Sequence, residues 1–223
     1  MALRFRQKLL AASVKQTNST PAATHAKIDI RGRVLGRIGA KEARVFDAFA
    51  GDGAMHRAVW GEAAECVGCD IKFYPDARMN FVADNLRLMR AIDLSRFNVF
   101  DFDAYGSPWE AIYIMAHRRP LAPGERIGVC LTEGQGMKLK MGGMSRALAH
   151  LASVQHYLPG LGKQQEEVIN RALRQTARIM HAAVTERWQA TGKTGSQLFY
   201  IGVILEGAAP ENDEPEARAE ETV

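Results

Sequence analysis

The 223-residue chain is poor in cysteine: it has three, and none falls in the spacing of a disulfide framework. That excludes a small cystine-stapled scaffold and fits a reducing cytoplasm. Cys66 and Cys69 form a C-x-x-C within the strand-like run ECVGCDI, but no second pair completes a tetrahedral metal site, so both are expected in the core. His56, His117, His150, His156 and His181 are scattered without metal-ligand spacing, and no metal is expected. No run of about 18 apolar residues occurs, which argues against a helical membrane span and a membrane partner. No secretory leader is expected: charges interrupt the short apolar piece of MALRFRQKLLAASVK, so this arginine-rich start reads as a working part of the protein. There is no internal repeat and no linker long enough to demand two domains. With 47% hydrophobic residues, the chain can bury a sizeable core as one globular domain with decorations.

Charge is present but uneven. Residues 1–44 hold ten Lys/Arg against Asp29 and Glu42, while the tail from Pro210 holds six acids against Arg218. The tail, PENDEPEARAEETV, offers almost no apolar surface and is expected to be disordered. The basic segment over 1–43 is either a phosphate-contacting arm or a solvated basic face.

From Arg44 strand-like and helix-like runs alternate. ARVFDAFA, AECVGCDI, ARMNFVADN, SRFNVFDFD and ERIGVCLTEG read as strands, separated by GDGAMHRAVWG, NLRLMRAID and PWEAIYIMAHRR. Such spacing predicts βαβ units and an α/β fold, with a mostly parallel sheet and helices on both faces. After the glycine- and methionine-rich GQGMKLKMGGM come a helix from about Ser145 to His156 and a long amphipathic helix from about Gln164 to Gln189. These form a helical insertion over about 144–190 in a domain spanning 44–209. QLFYIGVIL is the one clear strand beyond it, so six strands are expected.

In VFDAFAGDGAMHR a strand ends at Asp47, and Gly51 and Gly53 turn the chain into a helix. Glycines allow close backbone approach to a ligand, and the helix start offers free N–H groups. Asp70 ends the second strand, where a carboxylate can accept both hydroxyls of a ribose. Asp84 and Asn85 end the third, at a position suited to an adenine edge. One acid per βα unit at the ligand-bearing rim points to a nucleoside cofactor.

D-A-F-A-G-D-G resembles the first motif of the class I S-adenosylmethionine-dependent methyltransferases, in the D-x-F-x-G-x-G form of enzymes that methylate nucleobases. The resemblance covers about residues 44–135 and implies a Rossmann-like methyltransferase fold with S-adenosylmethionine as cofactor. It places Gly51 and Gly53 beside the methionine part, Asp47 at its amino group, and Phe49 among the cofactor contacts. Asp70 falls to the ribose, and Asp84 with Asn85 to the adenine. Further on, DFDAYGSP is similar to the D-x-D-P-[FY]-G-S-P motif of the tRNA dimethylguanosine methyltransferases. By that likeness Asp103 is the catalytic acid, Tyr105 the aromatic beside the target base, and Gly106, Ser107 and Pro108 the turn that borders the substrate. Ala104 stands where the family has proline. Thr132-Glu133 closes the fifth strand, where the family often has Thr-Asp.

The chemistry unites these residue types. An exocyclic amine is a poor nucleophile because its lone pair is delocalised into the base. A carboxylate that accepts its N–H bonds makes that pair more available, and Asp103 is suited to this. Tyr105 can stack on the base to hold it in line with the methyl donor. Asp101 shares the strand face of Asp103. It either faces the methionine end of the cofactor, where it is counted as a contact, or closes a buried hydrogen-bond network. Lys138 and Lys140 lie in the glycine-rich loop, which is either a mobile lid with phosphate contacts or a plain surface loop. The expected activity is methyl transfer to an amine of guanine or adenine in RNA. DNA adenine methylation and a non-catalytic nucleic-acid-binding role are the alternatives.

Overall fold

A computed structural model describes residues 20–74, 79–157, 159–191 and 198–209. The first 19 residues of the basic segment and the acidic tail from 210 lie outside the described residues. Helix α1 (Pro21–Ile38) starts where Thr20 caps it, its hydroxyl accepting from the Ala23 N–H, with Pro21 in the first turn. Then follow β1 (Arg44–Asp47), α2 (Ala54–Ala58), β2 (Glu65–Asp70), β3 (Met79–Val82), α3 (Asn85–Ala91), β4 (Val99–Phe102), α4 (Trp109–Arg118) and β5 (Arg126–Glu133). The remainder is α5 (Gly136–Lys140), α6 (Arg146–Ala152), α7 (Gln165–Ile179), β6 (Ala182–Ala190) and β7 (Phe199–Gly207).

Seven strands form one sheet in the order β3-β2-β1-β4-β5-β7-β6. The pairs among β1 to β5 are parallel, and β7 runs antiparallel to both β5 and β6. Strand alternation sorts side chains onto two layers. Phe46, Phe100, Phe102, Val129, Leu131, Ile201 and Val203 face the layer of α4, α6 and α7. Val45, Val99, Cys130, Tyr200 and Ile204 face Ile30 and Val34 of α1 and Trp60.

Two expectations need correction. The helix expected to run to Gln189 stops at Ile179, where His181 takes a left-handed conformation (φ 56°), and residues 182–190 become β6. Sheet pairing overrides helical periodicity here, because β7 needs a second partner and Val184, Thr185 and Trp188 suit a pleated surface. The sheet therefore has seven strands, not six. The glycine-rich stretch also contains a short helix, α5, which carries Lys138 and Lys140.

Candidate active site

The carboxyl ends of β1, β2 and β4 gather the acids that the strand pattern predicts. Asp47 and Asp101 are register partners on adjacent strands, and both are buried. Asp47 Oδ1 accepts from the Phe49 N–H at 3.2 Å, which shapes the turn after β1. Gly51 (φ 51°) and Gly53 (φ 81°) turn the chain into α2, and among the described residues beyond its chain neighbours a Cβ built on Gly51 would meet nothing nearer than the Phe49 carbonyl oxygen at 4.0 Å. Asp70 braces the same loop: Oδ2 accepts from the Gly51 N–H at 3.0 Å and Oδ1 from the Lys72 N–H at 2.9 Å. Asp84 is the N-cap of α3, Oδ1 accepting from the Arg87 N–H at 2.9 Å. Asn85 Nδ2 donates to the Ala48 carbonyl at 3.1 Å and ties the third unit to the first loop.

Asp101 and Asp103 point to the α1 side of the sheet, and α1 supplies their partners. The Arg31 guanidinium forks onto Asp101, Nε to Oδ2 and Nη2 to Oδ1 both at 2.6 Å, and Trp60 Nε1 adds a third donor to Oδ2 at 2.8 Å. Arg31 and Asp101 are each 1% exposed. Burial disfavours the Arg31 charge, but Asp101 and then Asp103 outweigh it and raise its pKa. Of the two places expected for Asp101, its bonds lie in the buried network.

Asp103 Oδ1 accepts from Thr132 Oγ1 at 2.6 Å, and Oδ2 pairs with Lys27 Nζ at 2.8 Å. Arg31 Nη2 lies 3.6 Å from Oδ2. Burial alone would raise the Asp103 pKa, but Arg31 and Lys27 hold the carboxyl below its ordinary value. It is ionised at neutral pH. Ala104, where proline stands in the resembling motif, donates its N–H to the Phe102 carbonyl at 2.8 Å. Proline has no such donor. The turn is thus held by a hydrogen bond in place of a ring.

Beyond this turn Tyr105 is 96% exposed, and Gly106 (φ 109°) has open space at its Cβ position. Gly106 O accepts from the Gly134 N–H at 3.2 Å, which joins the β4 loop to the β5 loop. Ser107 Oγ donates to Glu110 Oε2 at 2.6 Å and lies 3.2 Å from Ser145 Oγ. Pro108 is buried at the N-cap of α4. Glu133 is sealed beneath, its Oε1 accepting from the Gln135 N–H at 2.6 Å and its Oε2 from Trp109 Nε1. Burial pushes its pKa up to about 7 against the pull of those two donors. Lys138 and Lys140 are exposed on α5, next to exposed Met137 and Met141.

No protein-family model matches the sequence, and no curated protein does either. Solved structures do match. Trm1 from Pyrococcus horikoshii, determined with S-adenosyl-L-methionine, superposes with a TM-score of 0.55 at 20% identity over 85% of this chain. The N-methyltransferase NodS from Bradyrhizobium japonicum, with S-adenosyl-L-homocysteine, superposes at 0.55 and 12% identity over 93% of this chain and 98% of its own. TYW2 from M. jannaschii, in complex with AdoMet, gives 0.52 at 12% identity over 86% and 79% of the two chains. The fold is that of the class I methyltransferases. The chain spans 56% of the length of the Trm1 chain.

Within this methyltransferase fold several site residues escaped sequence reasoning. Lys27, Arg31 and Trp60 lie far from β4 in sequence, and nothing in their spacing ties them to it. Tyr200 belongs to the same cluster: it is the register partner of Thr132, and Lys27 Nζ sits 5.7 Å from its ring centroid. Ile71 and Phe73 follow Asp70 by one and three residues and are 71% and 73% exposed. Apolar residues that follow a rim acid and stay exposed suit the face of a planar ring.

Proposed function

We propose that this chain transfers a methyl group from S-adenosylmethionine to an exocyclic amine of a nucleobase, guanine or adenine, in RNA. The observation that carries the reading is Asp103, an ionised acceptor at the β4 rim with Tyr105 fully exposed two residues on. The residues present fit the cofactor. Asp70 keeps lone pairs for ribose hydroxyls after accepting two backbone N–H bonds, and Gly51 leaves its approach open. Gly53 and Phe49 border the methionine end beside Asp47. Ile71 flanks the adenine with Asp84 and Asn85. Asp101 acts indirectly, by fixing Arg31 and with it the charge beside Asp103. When bound, S-adenosylmethionine supplies an electrophilic methyl on a sulfonium.

Asp103 accepts an N–H of the target amine, raises the availability of its lone pair and orients it for in-line attack. Thr132 fixes the rotamer of that carboxylate. Tyr105 stacks on the base, which in a duplex region must first be flipped out. Gly106, Ser107 and Pro108 set the wall beside it, and Lys138 and Lys140 contact flanking phosphates. The resemblance of DFDAYGSP to the tRNA dimethylguanosine methyltransferases favours RNA over DNA.

The test is incubation with labelled S-adenosylmethionine and separate RNA and DNA pools, followed by mass spectrometry of the nucleosides. An N-methylated purine in RNA is expected; label in neither pool, with cofactor binding intact, refutes the nucleic-acid reading. Asp103→Ala should abolish transfer while changing cofactor affinity little, and surviving activity would show the catalytic assignment to be wrong.

A further inference from the structure

Two successive turns of α1 each place a cation on a carboxylate at the end of β4, Arg31 on Asp101 and Lys27 on Asp103, but the two pairs differ in kind. Arg31 and Asp101 are sealed, each 1% exposed, with a two-pronged fork and a third donor from Trp60. Lys27 and Asp103 sit at the rim, 17% and 16% exposed, and share a single bond of 2.8 Å. An arginine fork is geometrically committed, whereas an ammonium on a four-carbon stem leaves one partner for another without disturbing its backbone.

We infer that Lys27 is a displaceable occupant of the acceptor position on Asp103: in the substrate-free protein its ammonium holds the oxygen that the target amine needs, and the incoming base evicts it. This rests on the reading of Asp103 as the amine acceptor. Oδ1 accepts from Thr132 and Oδ2 from Lys27, so an N–H donor that approaches Oδ2 meets an ammonium already bound there. An ammonium presents N–H donors as an exocyclic amine does, so it is a chemical stand-in for the substrate group. While it stays, it also neutralises the charge that would draw the amine's protons.

Its departure does not strand a buried charge. Asp103 keeps the Thr132 hydroxyl and the Arg31 guanidinium 3.6 Å away, so it stays ionised and held in place. Lys27 in turn has somewhere to go: its Nζ already lies 5.7 Å from the Tyr200 ring centroid, within cation–π range. The consequence is selectivity. Only a group that donates to Oδ2 well enough to replace an ion pair gains the site, and bases without an exocyclic amine do not.

The experiment uses the full chain saturated with S-adenosylhomocysteine, and measures dissociation constants for adenosine and guanosine in wild type, Lys27→Met and Lys27→Arg. Lys27→Met should bind at least one of the two about tenfold more tightly, the worth of one charge-assisted hydrogen bond no longer in competition. Lys27→Arg, with a fork in place of a point charge, should bind the same nucleoside more weakly than wild type. S-adenosylhomocysteine affinity should be unchanged in both, which confirms an intact fold. Equal, weaker or undetectable nucleoside binding by Lys27→Met overturns the proposal. Methyl transfer is followed separately with labelled cofactor. If wild type labels no pool and Lys27→Met still gains affinity, the methyl-transfer reading fails and the eviction stands.

Discussion

Asp101 lies in β4 and Asp103 just past its end, and their partners set what each can do. Asp101 is closed on every side, so its neutralisation is indispensable. Arg31→Met would leave a buried carboxylate with Trp60 as its one remaining side-chain donor among the described residues and is expected to cost about 3–5 kcal/mol, measured by urea unfolding. Adding Asp101→Asn removes the unpaired charge and should restore much of that loss, because the amide oxygen still accepts from Trp60. Glu133 shows the opposite shift. Its pKa of about 7 in the folded chain exceeds the ordinary 4.5, so the folded state holds this proton more tightly than the unfolded state does. Its contribution to stability is full below about pH 4.5 and declines as pH rises through about 7, by roughly 3 kcal/mol. Glu133→Gln should therefore flatten that slope and be more stable than wild type at pH 8, as urea midpoints at pH 5 and pH 8 will show.

At the scale of elements, the site depends on how closely α1 approaches the sheet. A Cβ on Gly128 of β5 would fall 2.3 Å from Val34 Cγ1, and one on Gly202 of β7 would fall 3.0 Å from both Ile30 and Val34. The two glycines form the groove in which α1 lies, and that seat carries Lys27 and Arg31 to the carboxylates. Gly128→Ala is expected to lift this part of α1, destabilise the fold by about 1–3 kcal/mol and weaken the pairing at Asp101 and Asp103. The check is a lower urea midpoint, together with faster amide exchange in α1 than in α4. The sequence marks the first five strands well, because runs buried on both faces are apolar almost throughout. It marks β6 poorly. That strand carries Arg187, Glu186 and Gln189 at the sheet edge, and its apolar residues fit a helical period as well as a pleat.

For the whole molecule, the proposed cofactor reading predicts a linkage. S-adenosylhomocysteine at about a hundred times its Kd should stabilise the chain by about 2.7 kcal/mol, raising Tm by roughly 5–10 °C. No shift at saturation would favour a scaffold role on this fold. Sequence by itself determined the βαβ order, the rim position of Asp47, Asp70, Asp84 and Asp103, and the glycine turn after β1. These are local consequences of hydrophobic period and turn chemistry, which a linear pattern records. Only the tertiary structure decided that the basic N-terminal segment brings Lys27 and Arg31 to Asp103 and Asp101 in place of leaving them to solvent. Only it decided that Ala104 secures its turn by a hydrogen bond, and that residues 182–190 complete the sheet. The first and last of these depend on partners far along the chain: charge pairing across about 70 residues, and a ladder whose other half is β7. Propensity and spacing carry no record of such partners; packing does.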